Sequence, residues 1–178
     1  MIMPYEVLAL VSPIEFKSMY ELGNKKTFGN PPYREFYKKK GIEYTSIDSN
    51  GLDGALPLDL NTILDLPARD MVTNIGVTEH VTDQKTVFTN IHNLSKKRIV
   101  HWVPLVGSEN KRHGIYRYTI EFFEFIIALN DYRVIKQFIL NRQNGIKAIC
   151  YDLEKTSKYD FNWLDDMENM KKFITKVK

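Results

Sequence analysis

Apolar and polar positions follow two rhythms along this chain, and the change from one to the other divides it into strands and helices. Residues 18–22 form a short apolar run around Tyr20 and Leu22 with strand character. Asn30 and Pro31 then open a helix over 31–40, with Tyr33, Phe36 and Tyr37 on one face and Gly41 ending it. Residues 42–47 alternate as a second strand, and the turn residues Asn50 and Gly51 lead to a short third strand over 55–58. A fourth, buried strand spans 70–75, followed by a helix over 83–94 whose apolar stripe is Val87, Phe88, Ile91 and Leu94. Further along, the pattern predicts a strand over 99–106, a strongly apolar helix over 119–130, strands over 132–140 and 145–151 joined by a turn, and a polar amphipathic helix over 165–176. The loose helical spacing of Tyr5, Leu8, Val11 and Phe16 adds a helix ahead of the first strand, packed beside the sheet. Strands alternating with helices define an α/β class with a mainly parallel sheet.

Composition narrows the setting. A chain of 178 residues, 43% of them hydrophobic, is long enough to bury a real core, and with no repeat or flexible linker it reads as one domain over 1–178. Its 25 basic and 22 acidic residues balance too evenly to point to a polyanion. Cys150 is the sole cysteine, which rules out an intrachain disulfide and a cysteine-rich zinc site. The four histidines are scattered without close helical spacing, so no metal is expected. Residues 1–16 carry Glu6, Glu15 and Pro13 and lack a basic start, unlike a secretory signal, so a cytoplasmic, reducing setting is expected. The richest apolar run, 122–129, is broken by Glu124 and falls well short of the roughly 20 residues a membrane span needs. Phe122, Phe123, Phe125, Ile126 and Ile127 there read as a buried helix, with part of a homodimer face as the other option.

Chemistry enters through three acidic segments: Tyr20-Glu21-Leu22-Gly23-Asn24, then Ile47-Asp48-Ser49-Asn50-Gly51, then Gly54-Ala55-Leu56-Pro57-Leu58-Asp59-Leu60. An acid at one strand end, a second about one strand-helix-strand unit on and a third soon after is how an open α/β sheet holds a nucleoside. Gly23 is followed by Asn24, Lys25, Lys26 and Thr27 rather than by the glycines that cradle a pyrophosphate, so the expected ligand lacks one. These segments, with Thr73-Asn74-Ile75-Gly76-Val77-Thr78-Glu79-His80-Val81, resemble the class I S-adenosylmethionine-dependent methyltransferases of small-molecule type, over roughly residues 17–134.

That resemblance implies a doubly wound, Rossmann-like sheet closed by an antiparallel pair, with S-adenosyl-L-methionine as cofactor. It places Gly23 where the backbone approaches the methionine half, Glu21 beneath it, Asp48 on the ribose hydroxyls and Asp59 with Leu60 on the adenine. Asn24, Ser49, Asn74 and Gly76 complete the expected cofactor-binding set, while the family's second glycine is replaced by Lys25. The loop after the fourth strand is the expected reaction face, with His80 and His113 as candidate bases and Glu79 orienting a histidine or binding substrate. Gln84 is a further candidate for the same cleft. Plainer readings stand beside these: Asp48 as a turn builder, Thr78 or Thr82 as a helix cap, and His101 and His92 as core residues. Lys38-Lys39-Lys40 and Lys96-Lys97-Arg98 read as cations at helix ends. The expected activity is methyl transfer to an oxygen or nitrogen of a small-molecule acceptor such as a sugar or cell-surface precursor. Two alternatives remain open: a nucleic-acid amino methyltransferase using Asn30-Pro31-Pro32-Tyr33, a motif that reads more simply as a helix start, and a non-catalytic S-adenosylmethionine binder.

Overall fold

A computed structural model of the chain describes residues 15–24, 33–108, 114–141, 145, 147–156, 159–163 and 172–176. Along β1 (Ser18–Leu22), Met19 and Glu21 alternate with Tyr20 and Leu22, and all four are buried. Burial on both faces marks a central strand of an α/β sheet. Helix α1 (Tyr33–Lys39) leads to β2 (Glu43–Ile47), which pairs parallel on one side of β1. The chain then crosses to the other side of β1 and enters β3 (Arg69–Ile75), also parallel. Helix α2 (Gln84–Leu94) and strand β4 (Ser95–Pro104) extend the parallel set. Beyond β5 (Tyr116–Tyr118) and helix α3 (Ile120–Leu129), the strands β6 (Tyr132–Asn141) and β7 (Lys147–Lys155) add antiparallel to the sheet. The six-stranded order is β2-β1-β3-β4-β7-β6, with a separate pair formed by β5 and β8 (Ile174–Lys176). The order in which strands are added reverses between β1 and β3, the kind of point at which an α/β sheet opens a crevice at its carboxyl ends.

Two apolar layers hold the sheet. Tyr20, Leu22, Val72, Ile99 and Leu153 pack with the stripes of α2 and α3, while Met19, Met71, Val100, Trp102 and Cys150 pack with Tyr33 and Tyr37 of α1. Within α3, Phe122, Phe123 and Ile126 are buried, while Phe125 and Ile127 are half-buried and the Phe125 ring stacks on Phe173 at 6.2 Å. Both long helices are capped by side chains: Asp83 accepts from the amide of Thr86 and Thr119 from that of Phe122. Asp83, and neither Thr78 nor Thr82, is thus the cap of α2.

Three expectations need correction. Residues 55–58 make a single parallel bridge, Ile47 to Leu56, in place of a third strand. Leu56 donates to the Ser46 carbonyl at 2.9 Å and accepts from the Asp48 amide at 3.0 Å, but Pro57 has no N–H with which to continue the ladder. At the far end, residues 164–171 lie outside the described set, and Ile174–Lys176 are a strand that takes the open edge of β5 rather than the end of a helix. The run Lys96-Lys97-Arg98 belongs to β4, where Lys96 and Lys97 are exposed and Arg98 grips the buried Asp152 through two bonds of 3.0 and 2.6 Å. The predicted first helix falls almost wholly in residues 1–14, and the turn residues 142–144 are likewise outside the described residues.

Candidate functional site

The site is built where β1, β2 and β3 end. Leaving β1, Gly23 holds φ +73°, and its amide donates to the Ile47 carbonyl at 2.7 Å, joining the tips of β1 and β2. Asp48 follows Ile47 and ties the corner together: Oδ2 accepts from the Asn24 amide at 3.0 Å and Oδ1 from the Asn50 amide at 3.2 Å. It therefore both builds the turn and stands at the cleft. From β3 the chain passes through Gly76, at φ +64°, and Val77 into a 3-10 turn, Thr78–His80. A strap of residues 55–66, laid over the α2 side of the sheet, supplies Leu58, Asp59, Leu60 and Asn61. Together these segments line a cavity of about 300 Å³ containing Gly23, Ile47, Asp48, Ser49, Leu58, Asp59, Leu60, Asn61, Gly76, Val77, His80 and Val81. That is the lower end of the usual size for a small-molecule pocket.

Two asparagines pin the strap to α2. Asn61 gives its backbone and side-chain N–H groups to Asp59 Oδ1, at 2.9 and 2.8 Å, and these bonds hold the Asp59 carboxyl below the usual range. Its own Oδ1 accepts from the Thr82 amide (3.1 Å), the Thr82 hydroxyl (2.7 Å) and the Asp83 amide (2.9 Å). From inside α2, buried Asn90 accepts from the Leu64 amide at 2.9 Å and donates to the Thr62 carbonyl at 2.8 Å.

Of the residues expected from sequence, Gly23, Asp48, Ser49, Asp59, Leu60, Gly76 and His80 come together on the cavity wall. Asn24 stands just behind it, its side chain donating to the Leu52 carbonyl at 2.9 Å and to Asp53 at 3.0 Å. Glu21 is not on that wall: it is buried on the α1 side, where its carboxylate accepts from the Tyr44 hydroxyl. Burial and this carboxylate push the Tyr44 phenol, and that of Tyr37 stacked on it, far up.

Asn74 is buried and anchors the turn after β3: Oδ1 accepts from the Thr78 amide at 3.2 Å, and Nδ2 meets the Thr78 hydroxyl at 2.9 Å and His101 Nδ1 at 3.0 Å. An amide nitrogen only donates, so His101 Nδ1 accepts and the ring is neutral. Burial drives the His101 pKa down to about 3, which makes it a core residue rather than a base. His92 is equally structural, bonded to the Tyr132 hydroxyl at 2.6 Å and the Tyr159 carbonyl at 2.8 Å.

Two expectations shift at this loop. Gln84 does not reach the cleft: its amide braces the turn from below, donating to the Thr78 and Val81 carbonyls at 2.8 and 2.6 Å and accepting from the Tyr118 hydroxyl at 2.7 Å. Glu79 is fully buried and off the cavity wall, packed against Gly114, with its carbonyl accepting from the Ile115 amide at 2.6 Å. Its carboxylate attracts the buried Arg117 guanidinium, opposing the lowering that burial imposes there. His80, the next residue, is exposed. His113, Lys25 and residues 30–32 lie outside the described residues. Tyr33 is buried against Tyr37 and is not among the residues of the cavity wall.

Sequence reasoning missed Ile47, Leu58, Asn61, Val77 and Val81 as wall residues. Only Asn61 left a signal, as the third residue of an Asp-Leu-Asn turn. Among the described residues no group of three or more His, Cys, Asp or Glu side chains is placed to hold a metal, and no helix is long and apolar enough to cross a membrane.

The sequence matches no family model and no curated protein, whereas the fold has many solved counterparts. A putative S-adenosylmethionine-dependent methyltransferase from Listeria monocytogenes superposes with a TM-score of 0.64, 11% identity and coverage of 86% of this chain and 97% of that one. The N-methyltransferase NodS from Bradyrhizobium japonicum, solved with S-adenosylhomocysteine, gives 0.63 at 11% identity, covering 86% and 85%. The cyclase SpnF gives 0.63 at 10% identity, covering 84% and 78%. The protein therefore has the class I methyltransferase fold, a Rossmann-like, mainly parallel sheet with antiparallel closing strands.

Proposed function

We propose that this protein is an S-adenosylmethionine-dependent methyltransferase acting on an oxygen or nitrogen of a small molecule, with sugars and cell-surface precursors the first acceptors to screen. One observation carries the reading: at the carboxyl ends of β1, β2 and β3, a cavity of about 300 Å³ has both Asp48 and Asp59 on its wall, each from a different segment. The residues present suit the cofactor. Gly23 and Gly76 let backbone come close, Asp48 has lone pairs left for the ribose hydroxyls, and Asp59 offers an acceptor to an adenine amino group. Leu58, Leu60, Val77 and Val81 provide apolar walls for the base. When bound, S-adenosylmethionine would supply a sulfonium methyl for an acceptor oxygen or nitrogen to attack, the S–C bond breaking as the new bond forms and S-adenosylhomocysteine leaving.

The chain's own contribution is placement, since holding the acceptor in line removes much of the entropic cost of the encounter. His80, exposed at the cavity, takes the proton from a hydroxyl acceptor. Glu79 acts from behind, anchoring the turn that carries His80. Among the counterparts, NodS supports the reading as an N-methyltransferase with S-adenosylhomocysteine bound, while the cyclase SpnF is a reminder that chemistry on this fold is decided at the site.

Calorimetric titration with S-adenosylmethionine and S-adenosylhomocysteine tests the proposal. Saturable binding is expected for the wild type and its loss for Asp48→Ala. No binding to the wild type overturns the assignment. Binding without methyl transfer to any acceptor favours a non-catalytic binder.

A further inference from the structure

Asn61 occupies an unusual position on the cavity wall, because every polar group of its side chain is already committed. Three donors converge on its Oδ1, from the Thr82 amide, the Thr82 hydroxyl and the Asp83 amide, so Nδ2 has to face Asp59 and the amide cannot turn over. Its backbone N–H and Nδ2 both land on the same oxygen, Asp59 Oδ1. Among the described residues Oδ2 takes no hydrogen bond. Asp59 is exposed, and without Asn61 its carboxylate would rotate and hydrate freely.

We infer that Asn61 is a positioning residue that sets the base selectivity of the cavity: it holds Asp59 with one oxygen occupied and the other aimed as a pure acceptor, so that a 6-amino purine is taken and a 6-oxo purine refused. The inference rests on the cavity being the S-adenosylmethionine site. A carboxylate oxygen only accepts, so an amino group completes a charge-assisted bond where a carbonyl sets lone pair against lone pair. Rejection of a ligand that cannot satisfy a prearranged polar group is the stronger form of discrimination. The anchor lies at the start of α2, at Thr82 and Asp83, so the acceptor is fixed to a rigid element instead of to the strap alone.

Calorimetric titration of S-adenosylhomocysteine and its 6-oxo counterpart, S-inosylhomocysteine, provides the test. Wild type is expected to prefer the amino ligand by about tenfold or more. Asn61→Ala is expected to weaken S-adenosylhomocysteine and leave S-inosylhomocysteine almost unchanged, collapsing the ratio. Asn61→Asp keeps an acceptor for Thr82 and Asp83 but sets a repelling carboxylate beside Asp59, so it is expected to stay folded, as read by its melting temperature, and also to lose the ratio. If both variants weaken the two ligands by the same factor, or if Asn61→Asp keeps the wild-type ratio, the inference is overturned. A wild type that binds both ligands equally overturns the selectivity while leaving the cofactor reading intact; one that binds neither overturns both.

Discussion

Gly41 and Gly114 both hold left-handed backbone, at φ +72° and +75°, yet differ in what lies beyond the Cα. A Cβ at Gly41 would meet nothing within 4 Å, whereas one at Gly114 would stand 2.7 Å from Glu79 Cγ and 3.2 Å from the Glu79 carbonyl oxygen. Gly41→Ala is therefore expected to cost backbone strain alone, about 1 kcal/mol, with ligand affinity unchanged. Gly114→Ala should add displacement of Glu79, beside His80, for about 2 kcal/mol or more and weaker ligand binding. Urea unfolding and calorimetric titration of the two variants check the contrast, and equal effects on affinity would disconnect Glu79 from the cavity. Single residues were also where sequence was most and least informative. Asp48 and Asp59 stand out in the sequence because acids recur at successive strand ends in the order by which an open α/β sheet holds a nucleoside, whereas either alone reads as a turn builder. By sequence Glu79 belongs to a polar loop, and nothing in Thr-Glu-His reveals that the glutamate is buried near Arg117 while the histidine stays exposed. Asn61 shows in the sequence only as part of an Asp-Leu-Asn turn, because the bonds that give it significance reach residues 21 and 22 positions away.

At the scale of elements, the strap over 55–66 carries two cavity residues that bear polar side chains, Asp59 and Asn61, yet has no ladder of its own. Asn90 takes the place of that ladder by bonding the Leu64 amide and the Thr62 carbonyl from within α2. Asn90→Ala is expected to cost about 2 kcal/mol by stripping partners from buried groups, to speed amide exchange at Leu64, and to weaken ligand binding through Asp59. Unchanged exchange at Leu64 would show that the strap is held by its leucines alone. Elements with a clear pattern are the legible ones: β1 and the stripe of α2 emerge nearly to the residue, because 3.6-residue spacing encodes which face of a helix is covered, and α3 shows as a buried helix because its run is apolar nearly all round. The short pieces were not. Residues 55–58 have strand composition but are stopped by Pro57, and both β5 and β8 are only three residues long, each a strand only because the other supplies its hydrogen bonds.

The whole molecule is tied together partly through buried neutral imidazoles, and that makes its stability depend on pH. His92 bonds Tyr132 and Tyr159, linking α2 to β6 and to the segment after β7, and His101 links β4 to Asn74 and so to the loop at the cavity. Burial lowers the His92 pKa to about 4, with Lys155 adding to the effect, and the His101 pKa to about 3, from 6.5 in each case. Below pH 6.5 the unfolded chain binds these protons while the folded chain does not, so protonation favours unfolding. The stability they contribute is complete above pH 6.5 and is lost as pH falls toward 4 and 3. Each histidine adds a slope of about 1.4 kcal/mol per pH unit once the pH is well inside that window. Asp70, whose carboxyl is held below its usual 3.8 by the Lys17 amide, acts in the same direction but only in stronger acid, so the two effects separate. Urea unfolding at pH 7, 6, 5.5 and 5 should show the wild type losing stability across the series. His92→Gln should start lower at pH 7, for want of its tyrosine partners, and then fall with about half the wild-type slope. The same slope in variant and wild type would mean that His92 is protonated in the folded protein, and would break the link drawn here between its burial and its charge.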